Sequence, residues 1–159
     1  MSQAEDRPRV VFDCMIYLQA TANEASPAAA CLRLLDQGRI AVFVSPEILR
    51  EITDVLSRPK VRKTNPHITD ESLAELLRRL ATKAKLVRRV PRKFKYARDP
   101  KDEPYLNLAL VAKARYLVSR DNDLLDLMTG YDVESKDFRQ RSRPLEILDP
   151  ITFLNIIRQ

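Results

Sequence analysis

The stretch from Ala97 to Leu125, ARDPKDEPYLNLALVAKARYLVSRDNDLL, carries two acidic groups, Asp99/Asp102/Glu103 and Asp121/Asp123, separated by enough chain for one helix and one strand. Carboxylates spaced this way meet only if the fold returns them to one end of a sheet, and carboxylates that meet can hold a hard cation. Two more acids raise the same question. Asp13 follows directly on the apolar run Val10-Val11-Phe12, and Glu51 lies among Ile48, Leu49, Ile52, Val55 and Leu56, which recur at helical spacing. Each acid taken singly also has an ordinary structural role open to it. The aspartates suit helix caps, and a half-exposed glutamate can hydrogen-bond a loop.

The elements that must position these groups can be read around them. Pro104 suits a first helical turn with Asp102 as its cap, and Tyr105, Leu106, Ala109, Leu110 and Ala112 follow at helical spacing. Tyr116-Leu117-Val118 is then a short strand ending at Ser119, which places Asp121 just past a strand's carboxyl end, at the mouth of a crevice. Val10 to Phe12 reads as a central strand buried on both faces. Ser26-Pro27 opens a helix to about Gln37, closed by Gly38, and a strand runs from Ile40 to Val44. Ser45-Pro46 opens the helix of Glu51, which borders the apolar stripe and points toward the sheet edge. Arg58 to Pro66 reads as a basic linker with a turn at Asn65-Pro66. Thr69 caps a helix from Asp70 to Ala84, and a strand near Leu86-Val87 leads into a basic loop. Asn122 to Met128 is a short helix, Thr129 to Arg143 a mobile polar excursion, and Leu145 to Leu148 a last strand. Asp149-Pro150 starts a terminal helix with Ile151, Phe153, Leu154 and Ile157 inward. This alternation predicts a three-layer α/β/α sandwich with a mostly parallel central sheet, one domain over residues 1–159.

Composition narrows the partners. Hydrophobic residues make up 45% and charged residues 31%, and no apolar run approaches a membrane span. The amino-terminal MSQAEDRPR is polar and lacks the apolar middle of a signal peptide, so the expected location is cytoplasmic, away from any membrane. Cys14 and Cys31 are expected reduced and buried. The net charge of +6 favours a polyanion. Every charged residue from Arg78 to Arg98 is basic, and Arg139, Arg141 and Arg143 form a second group. These are either solvated surface or phosphate contacts. Phe94 and Tyr96, among them, either stack on bases or anchor the loop to the core. His67, far in sequence from every acidic cluster, is read as structural or exposed rather than catalytic.

Asp13, Asp102 and Asp121 fall at the same end of one parallel sheet, with Glu51 on a neighbouring helix. Such a group cannot stay fully ionised without a cation, and a donor set of oxygen alone suits Mg²⁺ or Mn²⁺ over zinc. Beside a basic surface, this is the equipment for metal-assisted phosphodiester hydrolysis.

Four ordered motifs, VVFD at Val10–Asp13, SPEILREITDVLSRPK from Ser45, DPKDEPYLNLALVAKARYLVSRDNDLL from Asp99 and ILDPITFL from Ile147, resemble the PIN-domain nucleases. The likeness is strongest to the bacterial group described as toxin components of toxin-antitoxin systems. That resemblance implies Mg²⁺- or Mn²⁺-dependent cleavage of single-stranded RNA leaving a 5′-phosphate, a homodimer, and an antitoxin protein that blocks the acidic cleft. Carried over by position, the catalytic and metal-holding acids are Asp13, Glu51, Asp102 (rather than Asp99) and Asp121, with Asp123 as an auxiliary metal ligand. Ser119 takes the place of a small hydroxyl residue that orients the first aspartate.

Two positions depart from the family pattern. Met15 stands where an asparagine amide is usual, and Arg120 where a glycine is common, either to contact phosphate or to pair with the acids. The missing asparagine supports an alternative, a catalytically weak module of the same fold that binds RNA or a protein partner. A phosphotransfer domain with Asp13 as nucleophile would need a second acid two residues on, where Met15 stands.

Overall fold

In the computed structural model, which describes residues 6–158, five strands form one sheet. They are β1 (Arg9–Phe12), β2 (Ala41–Val44), β3 (Lys85–Leu86), β4 (Tyr116–Val118) and β5 (Glu146–Leu148), in the spatial order β3-β2-β1-β4-β5. All four pairings are parallel, so the sheet is wholly rather than mostly parallel. Residues 1–5, where the polar amino-terminal stretch begins, lie outside the described residues. Val10, Val11 and Phe12 are at most 1% exposed, which explains why β1 is apolar without alternation. Each such side chain contributes about 1.5–3 kcal/mol by leaving water.

The chain runs from β1 outward through β2 to β3, then crosses back to lay β4 and β5 on the other side of β1. Val10, Val11 and Phe12 align with Tyr116, Leu117 and Val118. The connections that follow β1 and β4 therefore leave in opposite directions, and a crevice opens beyond the two carboxyl ends.

Helices cover the sheet. They are α1 (Cys14–Ala22), α2 (Pro27–Asp36), α3 (Pro46–Ser57), α4 (Pro59–Thr64), α5 (Asp70–Lys83), α6 (Glu103–Val111), α7 (Asn122–Leu125), α8 (Val133–Ser142) and α9 (Pro150–Ile157). Proline opens α2, α3 and α9, each behind a residue whose side chain accepts a backbone N–H: Ser26, Ser45 and Asp149. Thr69 and Ser72 form a reciprocal capping box on α5. Gly38 closes α2 at φ +69°, the left-handed conformation that glycine takes without strain. The layer is continuous, with α1 packed on α2 and α3, α2 on α9, and α6 across β1 and β4. No helix among the described residues is long and apolar enough to cross a membrane.

Several expectations need correction. Arg58 to Pro66 is not a linker but contains α4, a helix with no buried residue. Thr129 to Arg143 is not a loose excursion, because most of it is α8, capped by Asp132 and seated on fully buried Phe138. Arg139 adds hydrogen bonds to the carbonyls of Leu127 (2.6 Å) and Gly130 (2.8 Å). On α9, Phe153 and Leu154 face inward, whereas Ile151 is 54% exposed because it lies about 200° around the helix from Phe153. Phe94 and Tyr96 are buried, so they anchor the basic loop and are not free to stack on bases.

Candidate metal centre

The acid-rich stretch departs from its expected local structure in a way that shapes the centre. A turn of 3₁₀ helix, Pro100–Asp102, precedes α6, and Asp99 caps it by accepting the Lys101 N–H at 3.1 Å. Asp102, expected to cap α6, makes no capping hydrogen bond. The extra turn relieves it of that duty. Asp102 is only 8% exposed, and its Oδ2 has no hydrogen-bond partner among the described residues. A buried carboxylate oxygen left bare costs about 1–3 kcal/mol or more, so this atom asks for a ligand.

Three more carboxylates supply the surroundings. One oxygen from each of Asp99, Asp102, Asp121 and Asp123 lies within 4.8 Å of the others. Asp121 caps α7 just past β4, accepting the Asp123 N–H at 2.8 Å. The strand end and the helix start thus aim two acids into the crevice from one side, while the 3₁₀ turn brings two from the other. Burial pushes Asp102 from 3.8 up to about 8, and the charges of Asp121, Asp99, Asp13 and Asp123 add to it. Four carboxylates, one of them with an unsatisfied buried oxygen, fit a hard divalent cation.

Asp13 borders this group without belonging to it. Its Oδ1 accepts the Ile16 N–H at 3.2 Å and its Oδ2 accepts the Ser119 hydroxyl. The Ser119 oxygen in turn accepts the Asp121 N–H at 2.9 Å. One fully buried hydroxyl therefore ties the first aspartate to the last pair. Burial lifts Asp13 to about 6, with the Asp121 charge adding and the Ser119 and Ile16 hydrogen bonds opposing.

Glu51 stands apart from the four. The Tyr105 hydroxyl donates to its Oε1 at 2.7 Å, and Cys14 lies beside both. Burial, with the Glu51 and Asp13 charges, pushes the Cys14 thiol up to about 12, which makes it an inert filler rather than a nucleophile. Both cysteines are free and buried, as expected.

The structure thus brings Asp102, Asp121 and Asp123 together, sets Asp13 alongside through Ser119, and engages Glu51 with Tyr105. It adds Asp99. The sequence signal was present in the three-residue spacing from Asp99 to Asp102 across Pro100, which puts both carboxylates on one side of a helical turn. Glu103, in the same acidic group, has a different role. It is buried, accepts the Tyr96 N–H at 3.0 Å and pairs with Arg92 at 2.6 Å, which holds its carboxyl below the usual range.

The arginine that meets the acids is Arg98 and not Arg120. Arg98 bridges Asp123 (2.7 Å) and Asp126 (2.9 Å), while Arg120 reaches Gln19 at 3.4 Å. Other members of the basic run are also committed, Arg78 to Glu75 and both Arg79 and Lys83 to Asp36.

Comparison with known proteins agrees with this layout. Residues 9–123 match the PIN domain profile. The chain is 25% identical over 146 residues to the uncharacterized protein MJ1680 of Methanocaldococcus jannaschii, an alignment covering 92% of this chain and 89% of that one. No solved structure matches it. PIN domains are typically metal-dependent nucleases that act on RNA. With the matched profile, the parallel sheet and the acidic crevice at its switch point all in register, this chain belongs to the PIN domain family.

Proposed function

We propose that this protein is an endoribonuclease that cuts single-stranded RNA with Mg²⁺ or Mn²⁺ bound among Asp99, Asp102, Asp121 and Asp123. The observation that carries the reading is the bare, buried Oδ2 of Asp102 inside that ring of acids. A divalent ion bound there supplies Lewis-acid activation of water and offsets charge on a phosphodiester. The rest is the work of the chain. To serve as a ligand Asp102 would release to solvent the proton that burial and its acidic neighbours favour, and Asp99, Asp121 and Asp123 would hold the ion with it. Ser119 fixes Asp13 against the end of β4, and the Ile16 N–H fixes its other oxygen, so this acid is oriented before substrate arrives. Tyr105 orients Glu51 in the same manner. Within this reading the protein works in the cytoplasm as a homodimer, and as the toxin of a toxin-antitoxin pair whose antitoxin covers the acidic crevice.

The test is cleavage of a single-stranded RNA by purified protein with Mn²⁺, with EDTA, and with the Asp121→Asn variant. We expect products with a 5′-phosphate in Mn²⁺ alone, with RNA binding retained by the variant. Equal cleavage by Asp121→Asn would overturn the metal assignment. One observation favours a second reading, a weakly catalytic RNA- or protein-binding module. Met15 is 46% exposed beside Asp13 and offers no polar group there. Absence of chelator-sensitive cutting at high protein concentration would select it.

A further inference from the structure

Between β3 and the metal centre the chain forms a strap, residues 91–98, whose inner and outer sides have different duties. Phe94 and Tyr96 point inward, and the strap's backbone is clipped by side chains of α6. Asn107 accepts the Phe94 N–H at 2.7 Å and donates to the Phe94 carbonyl at 3.0 Å, while Glu103 accepts the Tyr96 N–H. Helix α8 closes on the same segment from another direction. Phe138 meets the Phe94 ring edge-on with centroids 4.9 Å apart, and Arg141 donates to the Lys93 carbonyl at 2.9 Å. A firmly held cleft of about 750 Å³ results, with the strap as one wall and α8 as the other.

Lys93 and Lys95 line this cleft, are exposed, and enter none of the ion pairs among the described residues. The contrast with Arg92 and Arg98, whose charges are matched by Glu103 and by Asp123 and Asp126, marks these two lysines as free for an outside anion. Two residues apart on one side of a strap, they stand roughly 6–7 Å from each other, which suits neighbouring phosphates of an extended single strand.

An exposed aromatic stands outside the cleft, two residues before its far wall begins at Val133. Tyr131 is 89% exposed and Val133, on the cleft wall, is 85% exposed. The turn before Tyr131 is fixed at Gly130. The preceding Gly130 donates to the Asp126 carbonyl at 2.7 Å and accepts from Arg139, and a side chain at Gly130 would run into Ser135 and Asp132. This turn joins Asp126, the partner of Arg98, to the start of α8, whose Glu134 accepts the Ala97 N–H. The strap leads the same way, since the Tyr96 hydroxyl donates to the Asp123 carbonyl at 2.6 Å. Cleft and metal centre are thus joined through residues 96–98.

We propose that this cleft is the track along which a single-stranded nucleic acid enters the metal centre. Lys93 and Lys95 hold successive phosphates, and Tyr131 stacks on a base between the cleft and the acids. The inference rests on the nuclease reading for its direction but is testable without it. Binding of a fluorescent single-stranded RNA is measured by anisotropy in EDTA, where no cutting occurs, across a salt series. The Lys93→Glu/Lys95→Glu protein should bind at least about tenfold more weakly and lose a little over one from its log–log salt slope, about 0.7 per phosphate contact. Tyr131→Ala should weaken binding at least about fivefold with the slope unchanged. Lys60→Glu/Lys63→Glu, an equal change of charge on exposed α4, should shift affinity less than about twofold.

If the two double variants weaken binding alike, the attraction is diffuse and the track is refuted. If neither weakens it, the strand binds elsewhere and the track is likewise refuted; if a protein ligand but no RNA is lost with Lys93 and Lys95, the cleft is a protein-docking surface. Selective loss in EDTA together with no cutting by the parent in Mn²⁺ would uphold the track and overturn the nuclease reading alone.

Discussion

Asp102→Asn is the sharpest single perturbation that the structure offers, because it keeps the shape of a buried side chain while removing the charge that its surroundings resist. Burial and the neighbouring acids push this carboxyl from 3.8 to about 8. At about 1.4 kcal/mol per pH unit, that is about 6 kcal/mol set against the ionised form, which solvent reaching the half-buried acids around it screens to about 3 kcal/mol. In the unfolded chain the group ionises near 3.8; in the metal-free fold it keeps its proton to about 8. Between those values the folded state binds the extra proton, so stability falls as pH rises and levels off above about 8. Asp13 adds a shift of the same sign between 3.8 and about 6. The Asp102→Asn variant has no proton to lose there, so its stability should be flat above about pH 6. At about pH 9 in EDTA it should exceed the parent by about 3 kcal/mol, or about 6–12 °C in melting temperature for a chain of this size. Thermal melts followed by circular dichroism at about pH 5, 7 and 9, with EDTA and with Mn²⁺, read this directly. Mn²⁺ should raise the parent's melting temperature most at alkaline pH and leave the variant's unchanged. A parent whose metal-free melting temperature does not change with pH, or a variant no more stable at the alkaline end, would refute the reasoning.

Two further outcomes follow from the same network. Ser119→Ala removes the hydroxyl that Asp13 and the Asp121 N–H share, so Mn²⁺ affinity measured by calorimetry should fall about tenfold with a modest loss of stability, about 1–2 kcal/mol. Asn107→Leu strips partners from both backbone groups of buried Phe94, and should cost about 2–4 kcal/mol in urea unfolding while speeding hydrogen exchange across residues 92–98.

The parts of this fold that announced themselves in the sequence are those with a one-sided physical cause. The continuous apolar run of β1, the Ser-Pro starts of α2 and α3, and the Tyr116–Val118 strand could be read almost to the residue. Elements without such a cause were invisible. Helix α4 buries nothing and has no side-chain cap, so Pro59 at its start is the one signal and no apolar periodicity follows it. Helix α8 has one deep anchor, Phe138, and is otherwise secured by Asp132 and by arginines bonded to loop carbonyls, which a hydrophobic pattern does not register. Helix α1 is apolar on several sides, with Cys14, Ile16, Tyr17, Leu18 and Ala20 all buried, so no stripe marks it. At the centre, the gathering of Asp102, Asp121 and Asp123 follows from topology. The 3₁₀ turn that adds Asp99 and frees Asp102 from capping depends on a local choice between two overlapping Pro-containing starts, Pro100 and Pro104.

The bond between Asp13 and Ser119 joins residues 106 apart in sequence, across a seam that closes only when β4 slots in beside β1. Such distant contacts are made late, since the intervening chain must first surrender its freedom. During translation the amino-terminal acid therefore emerges long before anything it can work with. A chain that has not yet laid β4 beside β1 therefore carries Asp13 without the hydroxyl that fixes it, and the first acid gains its orientation only when the two strands meet.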